Sequence, residues 1–248
     1  MKFVVAILFT LLSSLSLAQN QTDFYDELLD YVQEAPDQGE AATCLFMANT
    51  GAMELLANKK AGIKNPAPFG TFDLAESHSM WTKNTGLEKS FFDAPVNRFR
   101  GKGIHISHWP FEAWTDGRVN YSVWDRHPQM GSLPKIDLPE IETIKLFQLG
   151  NKWSTGVLNQ SHIQTIKEAL LKYRSPVLIN YNDEGYWHVI LIVGFDDKLP
   201  GTCYDTDPAE CSGMGSFYIR DSFGIRAELR DYDWFRVKGN AAFVVKLK

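Results

Sequence analysis

The run that begins at Cys44 constrains folding most. Cys44, Met47, Ala48, Gly51, Ala52, Leu55 and Leu56 recur at the spacing of one helical face. Thr43 stands where an N-cap would, and Lys59, Lys60 and Gly62 carry the chemistry of a helix end. The spacing predicts a long helix with one buried face and Cys44 in its first turn. A second helix is predicted from Ser161, with Gln164 closing a capping box. Ile163, Ile166, Leu170 and Tyr173 form its stripe, and Ser175–Pro176 ends it. Residues 23–33 carry Phe24, Leu28, Tyr31 and Val32 at helical spacing, until Pro36, Asp37 and Gly39 break the pattern. Further on the period changes. VLINY (177–181), WHVILIVGF (187–195), SFYIRD (216–221) and AAFVVKL (241–247) are β-rich runs separated by turn residues. Helices first and strands later predict an α+β fold in two lobes. The stretch 62–150 is rich in Pro, Gly, Trp and Phe, has few clean periods and yields no element placement.

The first eighteen residues set the expected compartment. Lys2 is followed by an apolar run from Phe3 to Leu12, then by small residues with Ser16 and Ala18 at a cleavage spacing. That is the layout of a signal peptide. The run falls short of the roughly 20 apolar residues that a membrane span needs. Cleavage after Ala18 would leave residues 19–248, enough for one large domain or two modest lobes. Loss of Lys2 would take the formal charge from −5 to −6. With no basic run, the chain has no electrostatic basis for nucleic-acid or anionic-membrane partners. A monomer is expected, secreted or periplasmic, or lysosomal in a eukaryote.

Export exposes thiols to oxidation. Of the three cysteines, Cys203 and Cys211 lie eight positions apart in a loop-like stretch with Gly201, Pro208 and Gly213, and a disulfide between them is expected. Neither has a further Cys or His nearby, so no metal is expected there. Asp205, Asp207 and Glu210 read as solvated loop acids rather than a Ca²⁺ site. No cofactor is expected. Cys44 is then the odd thiol, which is either a buried structural residue or a reactive one.

Thiol chemistry needs a nucleophile, a base, a group that orients the base, and donors for a developing oxyanion. Cys44 is the candidate nucleophile, because the positive end of a helix favours a thiolate. A lone Cys on an apolar stripe is more often core. His188 opens an apolar strand, a rigid place for a base and equally an ordinary place for a structural histidine. Asp221 ends SFYIRD and could fix the imidazole tautomer, or be a plain turn residue. Gln38, six residues before Cys44, could share an oxyanion with the Cys44 N–H, or be a loop residue. His105, His108, Trp109 and Trp114 suit a cleft or simple packing equally.

Taken together, these pieces resemble the papain/cathepsin cysteine protease family. Gln38-Gly39 followed by Cys44 matches its oxyanion Gln and nucleophile, and Thr50-Gly51-Ala52-Met53-Glu54 is similar to its TGALE. Asp73 to Ser77 resembles its L-S-E-Q segment, and Ile166 to Leu171 with Pro176-Val177 its ALxxxGPV unit. His188 to Phe195 resembles its H-A-V-x-x-V-G-Y, and Ser216 to Gly224 its YxxxKNSWG. The 144 residues from Cys44 to His188 lie within the roughly 130–150 of that family. The resemblance implies a two-lobed fold, with a helix-rich lobe over about 38–140 and a β-rich lobe over about 141–248. It implies a peptide or protein substrate, attack by Cys44, acid–base work by His188, an oxyanion hole from Gln38, and Asp221 in place of the family's Asn.

The departures are specific. Leu45 stands where the family has Trp, and Phe223 where it has the Trp over the orienting hydrogen bond. Ala41 replaces the disulfide cysteine before the nucleophile, and no Cys-x-Gly-Gly segment is found. The 25 residues between the expected cleavage and Cys44 are too few for a propeptide. Two other readings stay open: a C39-like peptidase of the same fold, and a weak or inactive binding or inhibitory protein on that scaffold.

Overall fold

The structure, a computed structural model, describes residues 22–39, 43–81, 99–109, 132–150, 157–183, 186–202, 215–224 and 227–248. The first eighteen residues, where a signal peptide is expected, Cys203, Cys211, the 205–210 acids and Trp114 lie outside the described residues, so the expected disulfide lies there too.

In chain order the described strands are β1 (Phe24–Tyr25), β2 (Lys102–Gly103), β3 (Ile136–Asp137), β4 (Ile141–Gln148), β5 (Val177–Asp183), β6 (Tyr186–Asp196), β7 (Ser216–Arg220), β8 (Glu228–Asp231) and β9 (Gly239–Leu247). The described helices are α1 (Cys44–Ala61), α2 (Glu76–Trp81), α3 (Gln160–Tyr173) and α4 (Tyr232–Lys238). The main sheet is antiparallel, ordered β4-β9-β5-β6-β7-β8, with β1 on β6; β2 and β3 form a separate pair. The class is α+β, as the order of periods predicts.

The four β-rich runs become β5, β6, β7 and β9. Strand β6 lies inside the sheet and packs against both α1 and α3. Its residues Val189 to Phe195 are all buried. A strand covered on both faces reads as a continuous apolar run. The side chains of α1, α3 and the sheet form one core, including Ala52, Leu55, Leu56, Ile163, Ile166, Leu170, Ile190, Ile192 and Phe243. Fully burying an aliphatic side chain of this size contributes about 1.5–3 kcal/mol, so these contacts dominate the orientation of α1 on the sheet.

Helix α1 starts at Cys44 and ends at Gly62, which is left-handed at φ 70°, as predicted. It differs from the prediction in two ways. Residues 46–58 are buried on every face, polar Asn49, Thr50, Glu54 and Asn58 included, so the helix is central rather than half-exposed. Thr43 occupies the N-cap position, but its side chain makes no capping hydrogen bond. Its backbone carbonyl accepts from the amides of Phe46 and Met47 instead.

Two further expectations are corrected. Helix α3 is capped by Asn159, whose side chain accepts from the His162 N–H while the His162 ring accepts from the Asn159 N–H. The cap therefore lies two residues before Ser161, and histidine replaces Gln164 as the closing group. Residues 23–33 form β1 and a single 3-10 turn at Glu27–Tyr31, not an α-helix. Phe24 is exposed and only Leu28 of that turn is buried, because the segment lies along β6 and spends its hydrogen bonds there.

Candidate active site

Three segments meet at the start of α1. Cys44 is its first residue, half-buried, with no acidic residue in the first turn to oppose the helix end. His188 lies near the start of β6, and Asp221 directly follows β7. Pairing of β6 with β7 brings residues far apart in sequence onto adjacent strands.

The His188 Nε2 donates to Asp221 Oδ1 at 2.7 Å. An ionised carboxylate only accepts, so Nε2 carries the hydrogen, leaving Nδ1 as the ring nitrogen available to Cys44. Burial works against the His188 cation, but the bond to Asp221 and a side-chain hydrogen bond with Cys44 outweigh it and push its pKa up to about 10. Burial likewise favours the acid form of Asp221, yet the His188 ring, the Ser222 N–H and the nearby Arg230 hold its carboxyl below the usual carboxylate range. The arrangement can hold a buried imidazolium between a carboxylate and a sulfur. The same sulfur lies 3.7 Å from the Trp187 carbonyl oxygen, an acceptor that suits a thiol and not a thiolate.

Gln38 is buried beside this group. Its Oε1 accepts from the Ser222 hydroxyl at 2.5 Å, and its backbone N–H donates to the Ser222 carbonyl at 2.8 Å. With Oε1 engaged, the amide Nε2 is left to donate elsewhere. Asp37 bridges Phe223 in antiparallel fashion, and Gly39 turns the chain at φ 55°, a conformation that favours glycine. The structure therefore brings all four predicted residues, Gln38, Cys44, His188 and Asp221, to one place.

Ser222 is the residue the sequence marks only as part of a motif. Its N–H donates to Asp221 Oδ1 at 2.7 Å, and its hydroxyl lies 3.4 Å from the same oxygen. One buried side chain thus touches both the acid and the amide. Nothing in the local pattern signals this, because Gln38 lies 184 positions away. Phe223 stacks on His188 with centroids 5.7 Å apart and planes 7° apart, where the resemblance implies a Trp. His105 bonds Ser107 and the Gly70 carbonyl, while Trp109 is buried beside Ala75 and Ile104, so these two pack rather than join the site.

A second charged group lies under the first. Arg220, the last residue of β7, is buried. Its guanidinium donates to the carbonyls of Gln33 (2.8 Å) and Met47 (3.1 Å) and to Glu54 Oε2 (3.1 Å). It passes so close to α1 that a Cβ at Gly51 would lie 2.1 Å from Nη1. Glu54 Oε1 accepts from the Leu74 N–H at 2.8 Å. Glu76 is fully buried, and no other residue offers either carboxylate oxygen a hydrogen bond. Burial, then the nearby Asp73, push its pKa up to about 7 against the pull of its own backbone N–H and Arg220. Among the described residues no three ligand-type side chains are grouped to hold a metal, and no helix is long and apolar enough to cross a membrane.

No family model and no curated protein matches the chain. Solved structures do. A digestive procathepsin L 3 of Tenebrio molitor larval midgut matches at TM-score 0.55 and 16% identity, over 94% of this chain and 72% of that one. Bromelain protease from Ananas comosus, solved with the E64 inhibitor, matches at TM-score 0.55 and 12% identity, over 92% and 100%. The cysteine protease and lectin-like domains of Cwp84 from Clostridium difficile match at TM-score 0.55 and 18% identity, over 93% and 53%. These neighbours are papain-like cysteine proteases, and the fold of this chain is papain-like.

Proposed function

We propose that this chain is an exported cysteine peptidase that hydrolyses peptide or amide bonds through Cys44 and His188. The observation that carries the reading is the His188 ring, hydrogen-bonded through Nε2 to Asp221 at 2.7 Å, with the Cys44 side chain near enough to help hold the ring's pKa up. Residues 1–18 serve as the export signal, and residues 19–248 form one peptidase domain. The helix-rich part, about 38–140, supplies Gln38 and Cys44, and the β-rich part, about 141–248, supplies His188 and Asp221. Cys203 and Cys211 form a disulfide outside the compartment of synthesis. Peptides or proteins are the substrates, and the chain acts as a monomer.

The steps follow from the groups at hand. The Cys44 sulfur forms a bond to the carbonyl carbon, and the carbonyl π pair moves to oxygen. That oxyanion is received by the Cys44 N–H and Gln38 Nε2; loss of such a donor typically costs about 10²–10³ in turnover. Collapse re-forms the carbonyl and breaks the C–N bond, while His188 protonates the leaving amine. Water then attacks the thioester and gives its proton to His188. The second adduct collapses, the C–S bond breaks with its electron pair on sulfur, the acid departs and the thiolate–imidazolium pair returns. Asp221 keeps the ring oriented through both steps.

A catalytically silent binding scaffold is the second reading. The contact between the Cys44 sulfur and the Trp187 carbonyl favours it, since that contact suits a resting thiol. Capture by an epoxide of the E64 type separates the two. The wild type is expected to gain one inhibitor mass at pH 6, and Cys44→Ala to gain none, a loss of at least about 10³ in labelling rate. Wild type left unlabelled below pH 8 would leave only the scaffold.

A further inference from the structure

We propose that Tyr181 is a positioning residue for His188: its ring, braced by Trp234, sets the plane in which the imidazole meets Asp221. This rests on the acid–base role given to His188 above. A hydrogen bond to one ring nitrogen fixes a point and not a plane, and the ring torsion of a histidine is broad. The plane must come from contacts on the ring.

Two rings supply them. Phe223 stacks on His188 but is half-exposed. Tyr181 is buried, and strand register places it directly opposite His188 across the β5–β6 pair. Directly opposed side chains share a face and touch. Their centroids lie 5.2 Å apart with planes at 60°. Trp234 meets Tyr181 edge-on at 4.5 Å, and the Arg230 guanidinium lies 4.6 Å over the Trp234 ring. The register of β5 against β9 shifts between Asn180 and Tyr181, which allows α4 and its Trp234 to pack there. The result is a buried column from Arg230 through Trp234 and Tyr181 that ends on the imidazole.

The test compares Tyr181→Leu and Tyr181→Phe. Two readouts are used: turnover of a fluorogenic peptide, and the far-downfield proton resonance of the His188–Asp221 hydrogen bond. Tyr181→Leu is expected to lower kcat about tenfold with KM changed less than about twofold, since small misplacements of a reacting group cost that much or more. Its downfield resonance should broaden or vanish. Tyr181→Phe should keep both readouts near wild type. Tyr181→Leu with an unchanged resonance and kcat, or Tyr181→Phe as damaged as Tyr181→Leu, overturns the proposal. Should Tyr181→Leu not fold, Trp234→Phe shrinks the brace alone and should broaden the same resonance; an unchanged resonance counts against Tyr181. A wild type that turns over no peptide sinks the peptidase reading, while the resonance still judges Tyr181.

Discussion

Arg220 and Asp221 are neighbours in sequence and belong to two different charged groups. Asp221 joins a group at the start of α1 whose members answer one another: imidazole, carboxylate, hydroxyl and amide each meet a partner. Arg220 enters a group beneath it where Glu54 and Glu76 are both fully buried beside one guanidinium. Glu54 shares that cation and the Leu74 N–H, and Glu76 has neither. Both groups sit in the same low-dielectric interior. The upper one is held charged by its own contacts. In the lower one both carboxyl pKa values are raised, first by burial and then by neighbouring acids that share one guanidinium, which drives a carboxyl there toward its neutral form. Burial pushes every one of these groups toward its neutral form, and the partners each one meets decide whether that push is overcome.

Three changes would break or sharpen that contrast. The largest effect is expected for Arg220→Met, which strips the lower group of its cation and the Gln33 and Met47 carbonyls of their donor. Breaking a buried ion pair on one side costs about 3–5 kcal/mol. Urea unfolding at pH 7 should show the loss, and lowering the pH should shrink it, because burial already favours the neutral form of Glu54.

Glu76→Gln is next, and its sign is opposite. The folded-state pKa of about 7 lies above the ordinary 4.5. Between those values the folded state holds a proton that the unfolded state has released, so stability falls as pH rises through this window and then levels. An amide removes the penalty. The variant should gain up to about 3 kcal/mol over wild type at pH 7.5 and almost nothing at pH 4. Parallel unfolding curves at both values would sink the neutral-carboxyl account.

Asp221→Asn should have the smallest effect. The amide oxygen still accepts from His188, but the charge is gone. The raised His188 pKa is held in part by that charge, so the alkaline limb of kcat/KM should move to lower pH. A loss of about tenfold at the optimum is expected, near 1.4 kcal/mol. An unmoved alkaline limb would mean the charge of Asp221 does not govern the ring.

The legible parts of the chain were those whose signal is local. A strand buried on both faces announces itself as VILIVGF, and Gly62 marks the helix end by its chemistry. Strand β4 stayed hidden because its register slips between Lys145 and Phe147, which breaks alternation in the middle of the run. The short helix α4 was missed too; its cap is Asp231, a residue that also ends β8. The burial of α1 on every face over residues 46–58 could not be read from one stripe, since it depends on what packs around it. At the site, Cys44, His188, Asp221 and Gln38 emerged from spacing and resemblance. Ser222 and Tyr181 did not, because their meaning lies in partners contributed by other strands and loops.

The narrow passage at Gly51 bears on protein engineering. Replacing a mid-helix glycine with alanine is a routine way to raise melting temperature, because it restricts the denatured chain. In α1 the added methyl would fall on the guanidinium that lies one peptide bond from Asp221. A change chosen to harden the protein would therefore displace Arg220 and disturb the strand end that holds Asp221.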